Sequence, residues 1–170
     1  MGPARSLTIL LVDDSVSDTR LLREALKESS LPIQLHVVAD GAEALDRLHA
    51  VELGLANAPD LIVLDLNLPK KDGREVLAEI KASPYLKQIP VLVMTSSNAD
   101  EDVAEVYSLN ANCYITKPTD LHAYMSVVRA IENFWFLTAT LPSSTSQAAS
   151  LHRLSPMSQA REPYRSLLRH

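Results

Sequence analysis

Two short apolar runs that each end in aspartate constrain this sequence more than any other feature. The first, Leu7–Val12, leads directly into Asp13 and Asp14, and the second, Leu61–Leu64, leads directly into Asp65. Runs of this length, rich in leucine and β-branched residues and bounded by polar residues, are typical of buried parallel strands. We therefore place three carboxylates where two strands end, which in an open α/β sheet is the edge that binds ligands.

Two further apolar runs end in polar residues of a different kind. Residues 90–94 precede Thr95, and residues 113–116 precede Lys117 and Pro118. If both runs are strands of the same parallel sheet, their carboxyl ends lie at the edge that carries the aspartates. The sequence therefore predicts a hydroxyl group and an ammonium group beside the three carboxylates.

The segments between the runs carry apolar residues at helical spacing, and residues 34–39 provide one more strand. Strict alternation of five strands with five helices predicts a doubly wound α/β domain, with helices on both faces of a parallel sheet. The flavodoxin-like strand order 2-1-3-4-5 fits best, because its switch point brings Asp13, Asp14 and Asp65 together. We assign this domain to residues 6–141.

Three neighbouring carboxylates raise one another's pKa unless a cation neutralises them. Oxygen ligands of this kind suit Mg²⁺, and we predict that Asp14 binds it directly, Asp13 through a water molecule, and Asn67 through its backbone carbonyl. A carboxylate can attack phosphorus while a metal ion, an ammonium and a hydroxyl stabilise the phosphoryl oxygens. We predict that Asp65 is this nucleophile, assisted by Lys117 and Thr95.

These polar positions, in this order and each at a strand end, resemble the receiver domain of two-component response regulators. Residues 65–77, residues 112–117, and residues 134–135 together with 140–142 further resemble the single-domain regulators that are paired with phytochrome histidine kinases. The resemblance implies a phosphorelay protein that accepts a phosphoryl group from a sensor histidine kinase, here a bacterial phytochrome, and then changes its interaction surface. It implies a signalling switch rather than an enzyme.

The resemblance also implies a role for each matching residue. Asp65 would be the phosphoacceptor and also a metal ligand, with Asp13 and Asp14 as the acidic Mg²⁺ pair, Thr95 as the switch hydroxyl, Lys117 as the phosphate-pairing ammonium, and Tyr114 as the aromatic side chain that rotates. It further implies a cis peptide bond between Lys117 and Pro118, which the sequence itself does not show.

Other interpretations stay open at this stage. Each aspartate taken alone could be a helix cap or a turn residue, and an aromatic residue in a strand, such as Tyr114, usually belongs to the core. A hydrolase with an aspartyl-phosphate intermediate would need a second carboxylate two residues after Asp65, where this chain has Asn67. A receiver that only binds partners, without phosphorylation, is the remaining alternative.

Composition narrows the class of protein. The net charge of -5 argues against nucleic acid as a partner, and no apolar run approaches the roughly 20 residues of a membrane span. Cys113 is the only cysteine and cannot form an internal disulfide. We expect a cytoplasmic protein.

The fifth predicted helix carries more apolar residues than one buried face requires. It begins near Asp120 and runs to about Leu137, and its expected core-facing stripe is Leu121, Tyr124, Val128, Ile131 and Trp135. Excess apolar surface predicts a two-fold homodimer, with a wider intramolecular core as the alternative. We predict an interface formed by Phe134, Trp135, Leu137, Leu141 and Pro142.

Residues 142–170 differ in composition from the preceding domain. They contain seven serines, three prolines and four arginines in 29 residues, which predicts a disordered tail. Their arginines and single acid, Glu162, give a charge of +3, so that the rest of the chain carries -8. This basic tail could fold back on the acidic domain, contact a partner, or remain an inert solvated extension.

Overall fold

The computed structural model describes residues 6–142 and contains the predicted five-stranded parallel sheet. Its strands are β1 (Leu7–Val12), β2 (Ile33–Val38), β3 (Leu61–Leu64), β4 (Val91–Thr95) and β5 (Cys113–Thr116), arranged in the order β2-β1-β3-β4-β5. The flavodoxin-like strand order is confirmed. The tail prediction falls on residues that, apart from Pro142, lie outside the described part of the chain.

Five helices connect the strands, and polar side chains cap the starts of four of them. They are α1 (Val16–Lys27), α2 (Gly41–Glu52), α3 (Gly73–Ala82), α4 (Asp100–Ser108) and α5 (Leu121–Ile131). Ser15, Asp40, Asp72 and Asp120 each accept a hydrogen bond from a backbone N–H group in the first turn of the helix that follows. These caps fix where each helix starts after its loop.

The apolar core lies in two layers, because alternate strand residues point to opposite faces of the sheet. Leu10 and Val12 of β1 pack with α2, α3 and α4, whereas Ile9 and Leu11 pack with α1 and α5. The sheet is therefore covered on both faces. This leaves the carboxyl ends of the strands as the open edge.

Strand register brings the polar positions to that edge. Val12 at the end of β1 pairs with Leu64 at the end of β3, and Thr95 at the end of β4 pairs with Thr116 at the end of β5. The residues that follow these pairs therefore lie at similar positions along the strand direction. The site described below depends on this register.

The fifth helix differs from the prediction in two respects. It changes at Glu132 into a wider π-helical turn over Glu132–Phe136, in which the N–H group of Leu137 donates to the Glu132 carbonyl at 3.0 Å. In the predicted core-facing stripe, Tyr124, Val128 and Ile131 are buried and Trp135 is half-buried, but Leu121, the first residue of α5, is exposed.

Two further observations concern the described residues 6–142. None of their peptide bonds is cis, so the cis bond implied between Lys117 and Pro118 is wrong for this structure. The backbone N–H group of Lys117 donates to the Thr95 carbonyl at 2.8 Å. None of the described helices is long and apolar enough to cross a membrane.

Candidate phosphoacceptor and metal site

The acidic pair follows β1 without a break. The N–H group of Asp13 continues the sheet ladder by donating to the Val38 carbonyl at 3.0 Å, and its carboxylate accepts from the N–H group of Ser15 at 2.8 Å. Asp13 is buried, whereas Asp14 is exposed. One carboxylate of the pair is thus held in the protein and the other faces solvent.

Asp65 is anchored in the same way at the end of β3. Its N–H group donates to the Val12 carbonyl at 2.9 Å, and its carboxylate accepts from the N–H group of Asn67 at 3.3 Å. Only 4% of Asp65 is exposed. The first residue of α3, Gly73, lies so close that an added Cβ would stand 2.1 Å from the Asp65 carbonyl oxygen, so the loop requires glycine there.

Lys117 connects the carboxylates through its ammonium group. Its Nζ lies 2.9 Å from a carboxylate oxygen of Asp13 and 2.8 Å from one of Asp65, and the Lys117 side chain is 9% exposed. A third carboxylate, that of Asp18 in the first turn of α1, lies 2.9 Å from the same Nζ. One buried cation therefore contacts three acids.

Sequence reasoning missed Asp18. The available signal was its spacing, four residues after Asp14 in a helix that begins at the same edge of the sheet. That spacing places Asp18 one turn beyond the strand end, but whether it faces the site depends on how α1 packs against α5. The Lys117 ammonium lies 2.8 Å from Asp65, and its role in pairing with a phosphoryl group stays a prediction.

Burial and pairing act in opposite directions on these groups. Desolvation raises the pKa of Asp13, and the hydrogen bond from Lys117 only partly offsets this effect. Burial alone would lower the pKa of Lys117, but hydrogen bonds to Asp65, Asp13 and Asp18 outweigh it and raise that pKa. Lys117 therefore stays protonated across the physiological range.

The carboxylates satisfy the requirements of a divalent metal site. Oxygen atoms of Asp13, Asp14 and Asp65 all lie within 4.8 Å of one another. Of these three acids, Asp13 and Asp65 share the Lys117 ammonium with Asp18, whereas Asp14 is not paired with it. Hard oxygen ligands with excess negative charge fit Mg²⁺, which binds a few carboxylates and keeps several water molecules.

Thr95 and Tyr114 lie beside this cluster without joining it. Thr95 is fully buried, and its hydroxyl has no hydrogen-bond partner among the described residues. Tyr114 is half-buried on β5, and its hydroxyl donates to the Ser97 carbonyl at 2.9 Å. An unpaired buried hydroxyl is unfavourable, so the Thr95 side chain is ready to accept a new partner.

The structure thus brings together most of the residues that the sequence proposed. Asp13, Asp14, Asp65 and Lys117 form one cluster, and Thr95 and Tyr114 stand on the neighbouring strands. The Asn67 backbone lies next to Asp65, but its carbonyl as a metal ligand stays a prediction. The proposed interface residues 134–142 follow α5 and take no part in the cluster.

Comparison with known proteins identifies relatives of the whole domain. The family model for the response regulator receiver domain matches residues 9–129. The response regulator Rcp1 of Synechocystis sp. is 50% identical over 137 residues, which cover 80% of this chain and 93% of that protein.

Two solved structures resemble the described fold. The phosphorylated cyanobacterial phytochrome response regulator RcpA is 51% identical, with 82% of this chain and 100% of that chain covered and a TM-score of 0.76. The Mn²⁺-bound form of Rcp1 is 49% identical, with 81% and 99% covered and a TM-score of 0.73.

Proposed function

This chain belongs to the response regulator receiver domain family, and on that premise we propose that it is a phosphoacceptor switch in a two-component phosphorelay. Asp65 accepts the phosphoryl group from a sensor histidine kinase. The observation that carries the proposal is the contact of the Lys117 ammonium with both Asp65 and Asp13 at the open edge of the sheet. The protein is a signalling component, with residues 6–141 as its receiver domain, and we propose that it acts in the cytoplasm.

The chemistry is a transfer between two nucleophiles. A carboxylate oxygen of Asp65 donates an electron pair to phosphorus, the P–N bond of the phosphohistidine breaks, and its electron pair returns to the imidazole. Lys117, already 2.8 Å from Asp65, pairs with the phosphoryl oxygens as they arrive. Thr95 offers the hydroxyl that has no other described partner.

We assign Mg²⁺ to the acidic cluster, supported by its donor chemistry and by the Mn²⁺-bound form of the related Rcp1. Asp13, Asp14, Asp65 and the Asn67 carbonyl would hold the ion. When bound, Mg²⁺ neutralises negative charge that the phosphoryl group adds to a site already rich in carboxylates. The exposed Asp14 provides the carboxylate that a hydrated ion can reach first.

Phosphoryl uptake from acetyl phosphate is therefore expected to require Mg²⁺. Asp14→Ala should lower the affinity for Mg²⁺ by at least about tenfold, because the site has few protein ligands. Titration of labelling against Mg²⁺ measures this effect. The matched control is Asp100→Ala, which removes an exposed acid at the start of α4, and equal Mg²⁺ dependence of the two variants would contradict the assignment.

We propose a bacterial phytochrome as the cognate kinase, supported by the identity to the phytochrome response regulator RcpA. A purified phytochrome histidine kinase, prelabelled with phosphate, should transfer label to Asp65 faster than an unrelated kinase does. Parallel assays in darkness and in red light test whether the transfer depends on light. Equal transfer from both kinases would reject the phytochrome pairing and leave the phosphoacceptor role intact.

Phosphorylation is proposed to act through Thr95 and Tyr114. The Thr95 hydroxyl moves toward phosphorylated Asp65 and leaves space beside the neighbouring strand β5. Tyr114 then gives up its hydrogen bond to the Ser97 carbonyl and turns inward into that space. The face formed by α4, β5 and α5 changes as a result. This is a local charge event that shifts a two-state element.

Thr95→Ala is expected to keep phosphorylation of Asp65 but to uncouple it from partner binding, because no hydroxyl is left to move. Thr95→Ser keeps the hydroxyl and should retain most of the switch. The measurement is the ratio of kinase or dimer affinity with and without phosphate for each variant. If this ratio in Thr95→Ala equals the wild-type ratio, the coupling is refuted.

We also propose a homodimer through the end of α5 and the arm at residues 138–142. Phe134 is 54% exposed and Leu137 is 63% exposed, and Phe134 packs edge-to-face on Trp135 with ring centroids 5.0 Å apart. Leu141, which is half-buried, and Pro142 lie in the arm, and we include both in the same proposed interface. Exposed large apolar side chains such as Phe134 and Leu137, next to the half-buried Trp135, are typical of an interface.

Phe134→Ser combined with Leu137→Ser should give a monomer that still accepts phosphate on Asp65. Sedimentation velocity at micromolar concentration distinguishes the two states. The matched control is Leu53→Ser with Leu55→Ser, which changes two still more exposed leucines after α2, outside the proposed interface. A wild-type chain that sediments as a monomer would disprove the dimer.

A further inference from the structure

A cleft of about 200 Å³ lies between the carboxyl-terminal ends of α1 and α5. Its lining residues are Ala25, Glu28, Ser29, Met125, Val128, Arg129 and Glu132. Ala25 and Val128 form an apolar wall, and the remaining side chains are mostly polar. The cleft therefore offers a small apolar surface next to charged groups, away from the phosphoacceptor site.

Glu132 is the unusual member of this lining. The residue is only 8% exposed, and its Oε1 atom is fully buried without a hydrogen-bond partner among residues 6–142. The nearest basic residue in the lining, Arg129, is exposed and donates to the Met125 carbonyl at 3.4 Å. A buried carboxylate oxygen without a hydrogen-bond partner is unfavourable, so a cationic donor that reaches Glu132 from the cleft would stabilise it.

The backbone at Glu132 adds an independent observation. The residue begins the π-helical turn Glu132–Phe136, where an α-helix accommodates an extra residue. Such turns are frequent at functional sites because they redirect side chains away from the regular helical positions. Glu132 itself lies four residues after Val128, so the regular spacing of α5 keeps this acid on the helix face that holds the buried Val128 and lines the cleft.

We propose that this cleft binds a guanidinium group supplied by residues 143–170 of the same chain. These residues contain Arg153, Arg161, Arg165 and Arg169, no lysine, and one acid, Glu162. Their net charge of +3 opposes the -8 of the rest of the chain. Charge complementarity thus selects this segment as the occupant.

The chemistry of arginine fits both parts of the cleft. A guanidinium forms two parallel hydrogen bonds to a carboxylate and is weakly hydrated, so it enters a buried site at lower cost than an ammonium does. Its aliphatic stem can pack on Ala25 and Val128, while Glu28 at the rim provides a second negative charge.

The chain length allows this contact. Ten residues separate Pro142 from Arg153, the first arginine of the segment, and a chain of that length extends over as much as roughly 36 Å. Nine residues separate Glu132 from Pro142. Attachment to one chain also gives the arginines a high effective concentration at the cleft.

The test uses the full chain labelled with ¹⁵N and observed by NMR. Two variants are compared with the wild type, one with Glu132→Gln and one with all four arginines of residues 143–170 changed to glutamine. Both should shift the amide signals of Ala25, Ser29 and Arg129. The combined variant should add no further shift, because both changes remove the same contact.

Glu101→Gln is the matched control, since it removes an exposed acid on α4 without touching the cleft. The four-arginine variant changes no residue of the described fold, so it tests the proposal even if Glu132→Gln fails to fold. Unchanged cleft signals in that variant would overturn the proposal. The comparison is repeated in the Phe134→Ser, Leu137→Ser background, where the proposed dimer is absent. Cleft signals that still change on dilution there would also overturn the proposal, because they would assign the cleft to a second copy of the chain.

Discussion

Asp65→Asn is expected to abolish phosphoryl uptake from acetyl phosphate and from a histidine kinase. Asparagine has the same shape as aspartate but lacks the carboxylate oxygen that attacks phosphorus. The fold should persist, because the ladder bond from the Asp65 N–H group to Val12 does not involve the side chain. Incorporation of radioactive phosphate, followed by hydroxylamine treatment to detect an acyl phosphate, measures the effect.

Asp18→Asn provides the matched control for this experiment. Asp18 contacts the same ammonium of Lys117 at 2.9 Å but lies on α1, outside the cluster that includes Asp65. We expect this variant to be labelled, which shows that loss of a Lys117 partner is not itself sufficient to prevent transfer. Full labelling of Asp65→Asn would move the phosphoacceptor to another residue.

Lys117→Met is expected to lower the free energy of unfolding by about 3 kcal/mol when Mg²⁺ is removed by EDTA. The substitution leaves the buried carboxylates of Asp13 and Asp65 without their cation, and losing one partner of a buried ion pair has this order of cost. The rate of labelling should fall about 100-fold or more, because a charge that stabilises the phosphoryl oxygens is absent. Urea unfolding and timed labelling measure the two effects.

Mg²⁺ should restore much of the lost stability of Lys117→Met. A divalent cation that pairs with the same carboxylates binds the folded state alone and stabilises it by linkage. The control is Lys71→Met, which breaks the surface ion pair of Lys71 with Glu79 and should change the stability far less than Lys117→Met does. A Lys117→Met chain as stable in EDTA as the wild type would contradict the proposed role of the ammonium.

The positions of Asp13, Asp14, Asp65 and Lys117 could be predicted because each directly follows an apolar strand. Burial of a parallel strand fixes where it ends, and strict alternation with helices fixes which edge all the strand ends share. The helix starts could also be predicted, because capping side chains such as Ser15 precede them in the sequence. These features depend on local pattern and chain connectivity.

The contacts of Asp18, Glu132 and Leu121 could not be predicted in this way. Each lies on a helix, and which of its side chains face the sheet, a neighbouring helix or solvent depends on how that helix rotates and packs. The π-helical turn at Glu132 changes this rotation along the chain, so the regular spacing that predicted a continuous stripe does not apply beyond Ile131.

The sequence by itself determined the strand order and the acidic edge of this protein, because strand ends are set by short apolar runs and their order by connectivity. Only the tertiary structure decided that the Lys117 ammonium bridges Asp13, Asp18 and Asp65, and that the carboxylate of Glu132 is buried at a cleft. Those contacts join elements far apart in the chain. Their geometry follows from the packing of α1 against α5 on the sheet, which no local pattern specifies.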